Sequence, residues 1–249
     1  MGRHDRIATL ARVGAADGAG APPDGTLELA VVAAGRGLTV REVLAAANGP
    51  VRVHAVDETS DLDDDVLHDR RVRSVIADLA ASLPFADATL DRVISLNVAE
   101  HLDDAAEHVR DCYRVLRPGG LLVLAHSDWD TALFTSDDDA LTRLLVDRFA
   151  SSVPAWAERV DGFMGRKIVP LAIESPFEVL SIETWADCHR RFDEGSVGWK
   201  VAMGLLAAAR DDAELAARAE RWLAGLRRLA DDGRFLFTVT DVAAVLRKP

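Results

Sequence analysis

Glycines and an acidic residue follow the first apolar runs of the chain at a spacing that could hold a ribose. Gly35 and Gly37 close the apolar run 27–34, and Asp57 closes the run 51–56, about 20 residues beyond the glycines. Glycine lets backbone N–H groups approach a ligand closely. A carboxylate about 20 residues further on can accept hydrogen bonds from both hydroxyls of a ribose. The spacing therefore indicates a site for a ribose-containing ligand, although a strand-terminal Asp is also a common turn residue.

Two histidines follow the later apolar runs. His101 comes after the fourth run and His126 directly after the fifth. Imidazole titrates near neutrality, so both are candidates for a general base that takes a proton from a substrate. We favour His126, because a residue that follows the fifth strand faces the cleft in such an architecture. Glu100 and Asp128 are alternative bases, and His101 is alternatively only a helix-cap or packing residue.

The elements that must hold these residues alternate along the first half of the chain. Apolar residues recurring every three or four positions predict helices at 39–48 and 103–116, and a turn at 117–120 ends the second helix. The predicted strands are 27–34, 51–56, 72–76, 91–96 and 121–125. Short apolar strands that alternate with helices are typical of a parallel sheet covered on both faces. The sequence predicts an α/β fold with a doubly wound, mostly parallel sheet.

The second half of the chain is predicted to be mainly helical. Its predicted helices are 137–150, 196–209 and 213–229, its predicted strands are 177–182 and 234–239, and 162–167 is predicted to be a flexible gate or a simple loop. We interpret residues 1–25 as an N-terminal segment and linker. Residues 26–249 are predicted to form a single domain, in which 131–230 contribute a helical insertion on the substrate side.

Composition and charge exclude several classes of protein. The 249 residues include 49% hydrophobic and 28% charged side chains, which is typical of a globular protein. A net charge of −12 disfavours a nucleic-acid partner and fits a neutral or cationic substrate better than a strongly anionic one. No apolar run approaches the ~20 residues that span a membrane, and no secretory leader is evident, so a cytoplasmic location is expected. Cys112 and Cys188 show no disulfide or zinc spacing, and no metal site is expected.

Two longer stretches resemble a known family. ADLAASLPFADATLDRVISLNVAEHL combines an acidic residue, an LPF turn and an apolar strand, and HVRDCYRVLRPGGLLVLAHSDWD combines a helix, an Arg-Pro-Gly-Gly turn and a strand. Together they resemble the core of the class I, Rossmann-like methyltransferases that use S-adenosylmethionine. The resemblance is close over residues 51–130 and loose in the flanks. It implies that fold and that cofactor.

The resemblance also implies roles for the residues at the strand ends. The implied cofactor-binding residues are Gly35, Gly37, Asp57, Asp78, Leu79, Asn97 and Val98. Asp57 would bind the ribose diol, and Asp78 would accept a hydrogen bond from the adenine amino group, with Leu79 beside the ring. Asn97 and Val98 would line the methionine end near the methyl group. The glycines would form the turn under the amino-acid moiety.

The first motif departs from the family pattern. The family usually has an acidic residue followed by three glycines across a short turn, and here Val31 takes the acidic position and Ala33 that of the first glycine. Glu28 is the nearest carboxylate, but it lies earlier in the strand. A methyltransferase-like protein that has weakened or lost cofactor binding is therefore an alternative interpretation.

The acceptor site must come from outside these motifs. An aromatic lid over a cationic sulfonium or a planar acceptor is physically reasonable, although each aromatic side chain is alternatively part of a core. The predicted substrate-binding residues are Trp129, Trp156, Phe163, Trp185, His189 and Trp199. We expect methyl transfer to nitrogen, oxygen or carbon of a small molecule in specialised metabolism, by a monomer or a homodimer. A dinucleotide-dependent oxidoreductase is opposed by the LPF and Arg-Pro-Gly-Gly elements. A macromolecular methyltransferase is opposed by the charge.

Overall fold

Short runs rich in Val, Leu and Ile form the strands, and amphipathic segments form the helices between them. The structure is a computed structural model, and it describes residues 2–13, 25–153 and 160–249. The strands are β1 Leu27–Val32, β2 Val51–Asp57, β3 Val72–Ile76, β4 Leu90–Leu96, β5 Leu116–Phe134, β6 Glu178–His189 and β7 Phe237–Arg247. The helices are α1 Arg3–Leu10, α2 Leu38–Ala46, α3 Asp64–Leu67, α4 Ala105–Val115, α5 Asp139–Ala150, α6 Met164–Ile173, α7 Val197–Ala208 and α8 Ala213–Asp231, with a 3-10 turn at Ala99–His101.

The seven strands form one sheet in the order β3-β2-β1-β4-β5-β7-β6. Each pair of neighbours from β3 to β5 is parallel. Strand β7 runs opposite to β5, because the amide of Gly119 bonds to Lys248 at one end and the amide of Thr135 bonds to Leu236 at the other. The sheet is therefore mostly parallel, and the predicted α/β fold is confirmed.

Helix α4 shows how the amphipathic pattern positions a helix on this sheet. Asp104 caps it by accepting a hydrogen bond from the amide of Glu107. Its buried residues, His108, Val109, Cys112 and Val115, recur at helical spacing and form one face. That face includes His108, whose Nε2 lies 2.9 Å from the hydroxyl of Ser95 on β4. The helix is thus fixed over the strand that ends at the predicted site.

The chain divides into two compact units. Unit 1 comprises Met1–His126, Lys167–Glu183 and Ala243–Pro249, and unit 2 comprises Ser127–Arg166 and Thr184–Val242. The core of unit 2 is built from α5, α7, α8 and the strand segments of this unit, and it includes Phe134, Trp222 and Phe237. The prediction of a single domain with an insertion at 131–230 stays a prediction.

The sequence predicted a turn at 117–120, and this prediction is wrong, because these residues lie within a strand. Strand β5 begins at Leu116, which pairs with Leu90, and the next pair joins Leu121 to Arg92. The four residues between them form a bulge inside a longer strand. A residue distant in sequence stabilises this bulge, since the backbones of Gly119 and Gly120 form hydrogen bonds with the backbone of Lys248.

The segment 162–167, predicted as a gate or loop, is also different in the structure. Helix α6 begins at Met164 and includes its last four residues. An added Cβ at Gly165 would lie 2.7 Å from the backbone nitrogen of Asp128, so the helix start packs closely on β5. The last strand likewise begins at Phe237 rather than at 234 and continues to Arg247.

The described residues also bear on the expectations for membrane spans, metal sites and cysteines. None of their helices is long and apolar enough to cross a bilayer. No group of three or more His, Cys, Asp or Glu side chains in the described ranges is arranged to hold a metal ion. Cys112 is buried and Cys188 exposed, and both thiols are free.

Candidate functional site

The turn after β1 uses its two glycines for different purposes. Ala33, Gly35 and Gly37 all adopt positive φ angles, of 55°, 50° and 87°. An added Cβ at Gly37 would lie 2.9 Å from Val66, so this glycine allows α2 to start close to α3. An added Cβ at Gly35 would meet nothing within 4 Å. Gly37 therefore serves packing, and Gly35 borders open space in which a ligand could approach the backbone.

Asp57 lies beside this turn because β1 and β2 are parallel neighbours in register, with Val32 opposite Val56. Its Oδ2 accepts a hydrogen bond from the amide of Gly35 at 2.7 Å, and its Oδ1 accepts one from the amide of Glu58 at 2.8 Å. An ionised carboxylate has about four acceptor sites. Two sites therefore remain for ligand hydroxyls while the carboxylate also fixes the glycine turn.

The other predicted cofactor residues follow β3 and β4. Asp78 is exposed, and its Oδ1 accepts a hydrogen bond from the amide of Ala80 at 2.9 Å, as in a local turn. Leu79 is half-buried beside it. Asn97 has a positive φ of 56°, and Val98 is buried. All seven predicted cofactor residues thus lie at the carboxyl ends of four neighbouring parallel strands, where ligands of such sheets bind.

The two predicted catalytic histidines lie on either side of one buried carboxylate. The Oε1 atom of Glu100 is 3.4 Å from Nε2 of His101 and 4.0 Å from Nε2 of His126. The side chain of His101 is 38% exposed, whereas that of His126 is enclosed. Strands β4 and β5 are neighbours, and this pairing brings the three residues together. A carboxylate in this position stabilises an imidazole that has gained a proton.

Asp128, an alternative base from the sequence, is engaged elsewhere. Its two carboxylate oxygens accept hydrogen bonds from Nη2 and Nε of Arg166, each at 2.8 Å, and its Oδ2 also accepts one from the Arg166 backbone amide. These bonds, with a further one to Asp130, hold the pKa of the Arg166 guanidinium above its usual value. These bonds occupy both oxygens of the carboxylate and anchor the start of α6 to β5, so Asp128 has a structural partner here.

The predicted substrate-binding residues do not gather at one point. The ring of Phe163 lies 5.0 Å from the Arg166 guanidinium carbon, and His189 stacks on Phe237 at 5.8 Å, with its Nε2 2.8 Å from Asp187. Trp185 is half-buried on β6. Trp156 lies outside the described residues.

Trp129 and Trp199 are related through Phe149. The Trp129 ring contacts Phe149 edge-on at 6.1 Å, and Phe149 and Trp199 line the same cavity of about 750 Å³. We call this cavity the α5–α7 groove. Its lining residues are Phe149, Ser152, Val153, Trp199, Lys200, Val201, Met203, Gly204, Ala207, Ala208, Arg210 and Asp211. Its volume is within the range of about 300–1,000 Å³ that is typical of small-molecule sites.

Sequence reasoning missed Phe149 and Gly204. Phe149 has the spacing of a core position in α5, and nothing local marks it as a wall of a cavity. An added Cβ at Gly204 would lie 2.6 Å from the Phe149 ring, so this glycine lets the ring lie against α7. An isolated glycine inside an otherwise apolar helix was the available signal, since such a glycine often has a packing reason.

Comparison with known proteins identifies a methyltransferase domain. Residues 31–124 match the model of a methyltransferase domain family. By this match, that part of the chain is a methyltransferase domain, and its curated relatives include a probable S-adenosylmethionine-dependent methyltransferase. The match begins at Val31 on β1 and ends at Leu124 on β5, so it contains every predicted cofactor residue.

Individual relatives match the chain over short spans. A 37.1 kDa protein of a Streptomyces fradiae transposon is 30% identical over 105 residues, which are 41% of this chain and 28% of that protein. A probable S-adenosylmethionine-dependent methyltransferase of Mycolicibacterium smegmatis is 49% identical over 45 residues, 18% of each chain. The chain thus spans less than a third of the length of these curated relatives. A structure from Anaeromyxobacter dehalogenans, described as a type II methyltransferase, has the same fold (TM-score 0.61, 22% identity, covering 98% of this chain and 95% of that one).

The strand ends of this methyltransferase domain fit S-adenosylmethionine, the cofactor of its class. The open space at Gly35 admits a ligand against the backbone, and Asp57 retains acceptor sites beside it. Val31, in the family's acidic position, is buried and apolar. Ala33 nevertheless adopts the left-handed conformation that suits a glycine. The turn has therefore kept its shape while losing the carboxylate.

Proposed function

We propose that this methyltransferase domain transfers the methyl group of S-adenosylmethionine to a nitrogen, oxygen or carbon of a small molecule, in specialised metabolism. One observation carries the proposal. The carboxylate of Asp57 reaches the amide of Gly35 at 2.7 Å, next to open space and at the edge where four parallel strands end. This is the arrangement that a ribose-containing cofactor needs. The net charge of −12 opposes a nucleic-acid acceptor.

The residues of the chain supply orientation. When bound, the cofactor supplies a methyl group that its sulfonium has already activated. Asp57 would accept hydrogen bonds from the two ribose hydroxyls, and the free oxygen of Asp78 would accept one from the adenine amino group. Leu79 would cover one side of the adenine ring. Holding both reactants in line is the main contribution that a protein makes to such a transfer.

Glu100 and the two histidines would accept a proton from the substrate. An acceptor that arrives as a phenol, alcohol or ammonium must lose a proton before or during methyl transfer. The sequence predicted that His126 follows a strand at 121–125, but it lies within β5, which continues to Phe134. It is still the base that we favour, and Glu100 would stabilise its charged form. The more exposed His101, on the other side of Glu100, offers a second position for the same proton. An acceptor that is already deprotonated needs none of these groups.

Residues of unit 2 would hold the acceptor. Trp129, Phe163, Trp185, His189 and Trp199 supply the aromatic surface, and Trp156 stays a prediction from the sequence. The small-molecule assignment is supported by the volume of the α5–α7 groove, about 750 Å³.

Asp57→Asn tests the cofactor assignment. The amide oxygen of Asn can still accept the Gly35 hydrogen bond, but its NH₂ group can accept one neither from a ribose hydroxyl nor from the exposed amide of Glu58. We expect S-adenosylmethionine affinity to fall at least tenfold, about 1.4 kcal/mol, with little change in the melting temperature of the free protein. Isothermal titration calorimetry measures the affinity. Glu174→Gln, an exposed carboxylate of unit 1, is the matched control and should bind normally.

The alternative is a methyltransferase-like protein that no longer uses the cofactor, and the buried Val31 favours it. The same titration on the unaltered chain separates the two functions. Heat from S-adenosylmethionine or S-adenosylhomocysteine at micromolar concentration supports the transferase. No heat from either would reject our proposal and favour the alternative, and heat from a nicotinamide dinucleotide instead would indicate an oxidoreductase.

A further inference from the structure

The α5–α7 groove has an apolar body. Phe149, Trp199, Val201 and Met203 line it, and Ala207 and Ala208 leave it wide, because they place only methyl groups along its wall. The rings of Phe149 and Trp199 are half-buried, so apolar surface stays in contact with water. Covering such surface is favourable, because it removes apolar atoms from water. The groove therefore favours an apolar occupant.

The charges along the groove are uneven. Lys200 and Arg210 are exposed lining residues, and neither pairs with a carboxylate in the described ranges of the chain. Asp211 is the one acidic residue among these lining residues, so their side chains carry one net positive charge. Among the described residues, no carboxylate pairs with Lys200, which is next to Trp199. One net positive charge thus lies beside an aromatic ring, in a protein whose net charge is −12.

One wall of the groove packs on a side chain of β5. The Trp129 ring contacts Phe149, which lines the groove. Trp129 belongs to β5 and follows His126 by three residues. A ligand in the groove would therefore contact a side chain that packs against this strand.

We infer that the α5–α7 groove binds an apolar molecule with one anionic group, and that the acceptor of the methyl group belongs to this class. This inference rests on the proposed function. The apolar body lies against Phe149, Trp199 and Met203, and the anionic group, a carboxylate, sulfonate or phosphate, pairs with Lys200. The sequence favoured a neutral or cationic substrate from the net charge alone. The groove favours an anion despite the negative net charge, because its ammonium group acts on a ligand at short range. Salt screens the field of the whole protein beyond about 8–10 Å.

An apolar anionic dye tests the site. Anilinonaphthalene sulfonate combines two aromatic groups with one sulfonate, and its fluorescence rises on binding. We expect one dye molecule per chain. Ala207→Trp should fill the groove and weaken dye binding at least tenfold, because Ala207 is exposed and lines the groove. Ala217→Trp on α8 adds the same ring at an exposed position outside the groove lining and should leave dye affinity unchanged.

Charge reversal tests the class of ligand. Lys200→Glu should weaken dye binding at least threefold, whereas Arg221→Glu, a matched exposed reversal on α8, should not. Dodecyltrimethylammonium, an apolar cation, should bind the unaltered chain more weakly than the dye and should bind better after Lys200→Glu. Tighter binding of the cation to the unaltered chain would overturn the anionic class. Melting curves of all four variants show whether each is folded.

Titration of the same variants with S-adenosylmethionine separates this inference from the proposed function. Normal cofactor binding with loss of dye binding in Ala207→Trp supports both. Dye binding that Ala207→Trp does not weaken overturns the groove inference, whatever the cofactor does. An unaltered chain that binds the dye in the groove but no cofactor rejects the proposed function, and with it the assignment of the groove to a methyl acceptor.

Discussion

The two units of this protein hold their chemistry-bearing side chains in different ways. In unit 1 the polar residues follow strand ends, and short bonds to the backbone hold them, as Asp57 is held by the amide of Gly35. In unit 2 the aromatic residues singled out from the sequence mostly pack on other side chains, as His189 does on Phe237. The difference is therefore one of support, since backbone amides hold the polar groups at the strand ends and side-chain packing holds the aromatic residues of unit 2.

The physical reason is the geometry of the two kinds of element. Parallel neighbours in register end at the same edge, so any polar residue placed there is near the others. A helix presents residues on all sides, and the face that becomes core depends on which partner packs against it. Trp199 and Trp222 show this: both lie on helices of unit 2, yet Trp199 lines the groove and Trp222 is buried in the core.

The largest expected effect would test the difference between these two tryptophans. Trp222 contacts Phe134 edge-on at 5.3 Å, and its Nε1 donates a hydrogen bond to Thr142. We expect Trp222→Ala to lower the free energy of unfolding by about 3–5 kcal/mol. Trp199→Ala should cost less than half of that, because the ring is only half-buried. Urea unfolding measures both. Equal losses would show that Trp199 is core and would end the distinction.

A smaller effect should come from acid, through the core of unit 1. Burial lowers the pKa of His108 to about 4 from 6.5. The unfolded chain therefore takes up a proton at higher pH than the folded chain does. The stability that depends on the neutral imidazole is present above about pH 6.5 and is lost as the pH falls towards 4, a change of about 2–3 kcal/mol.

Unfolding free energies at pH 7 and pH 4.5 measure this effect. His108→Gln keeps a polar partner for Ser95 but does not titrate, so it should flatten the dependence by that amount. His68→Gln changes an exposed histidine and should not flatten it. If His108→Gln leaves the slope unchanged, the acid sensitivity of unit 1 has another source.

The smallest expected effect concerns the glycine turn. Ala33 adopts a φ of 55°, and a left-handed alanine costs roughly 1 kcal/mol or more. Ala33→Gly should therefore raise the free energy of unfolding by less than about 1 kcal/mol, after the greater freedom of an unfolded glycine is counted. Ala88→Gly, at a φ of 53°, should stabilise the chain similarly. Calorimetry should show that Ala33→Gly, the variant in the turn, also maintains or improves cofactor affinity. A weaker affinity of Ala33→Gly would mean that the alanine has its own role in the turn.

Much of unit 1 could be predicted from local patterns. Strand β3 was predicted at its observed bounds, 72–76, and β2 to within one residue, because short apolar runs between polar turns leave few other structures. The positions of the candidate cofactor residues at strand ends followed from the same reasoning, and the resemblance to the methyltransferase family implied their roles. The acid–base cluster was predicted in part: Glu100, His101 and His126 were each named, but their common contact was not.

Sequence alone determined the alternation of strands and helices, the family resemblance and the residues at the strand ends, because each depends on neighbours in the chain. Tertiary structure alone decided the bulge at 117–120, where β5 pairs with Lys248, and the start of α6 on Asp128. It also decided the α5–α7 groove, whose walls at Phe149 and Gly204 are more than fifty residues apart. Contacts between residues so far apart in the chain depend on how whole helices and strands pack, and a local sequence pattern does not predict that packing.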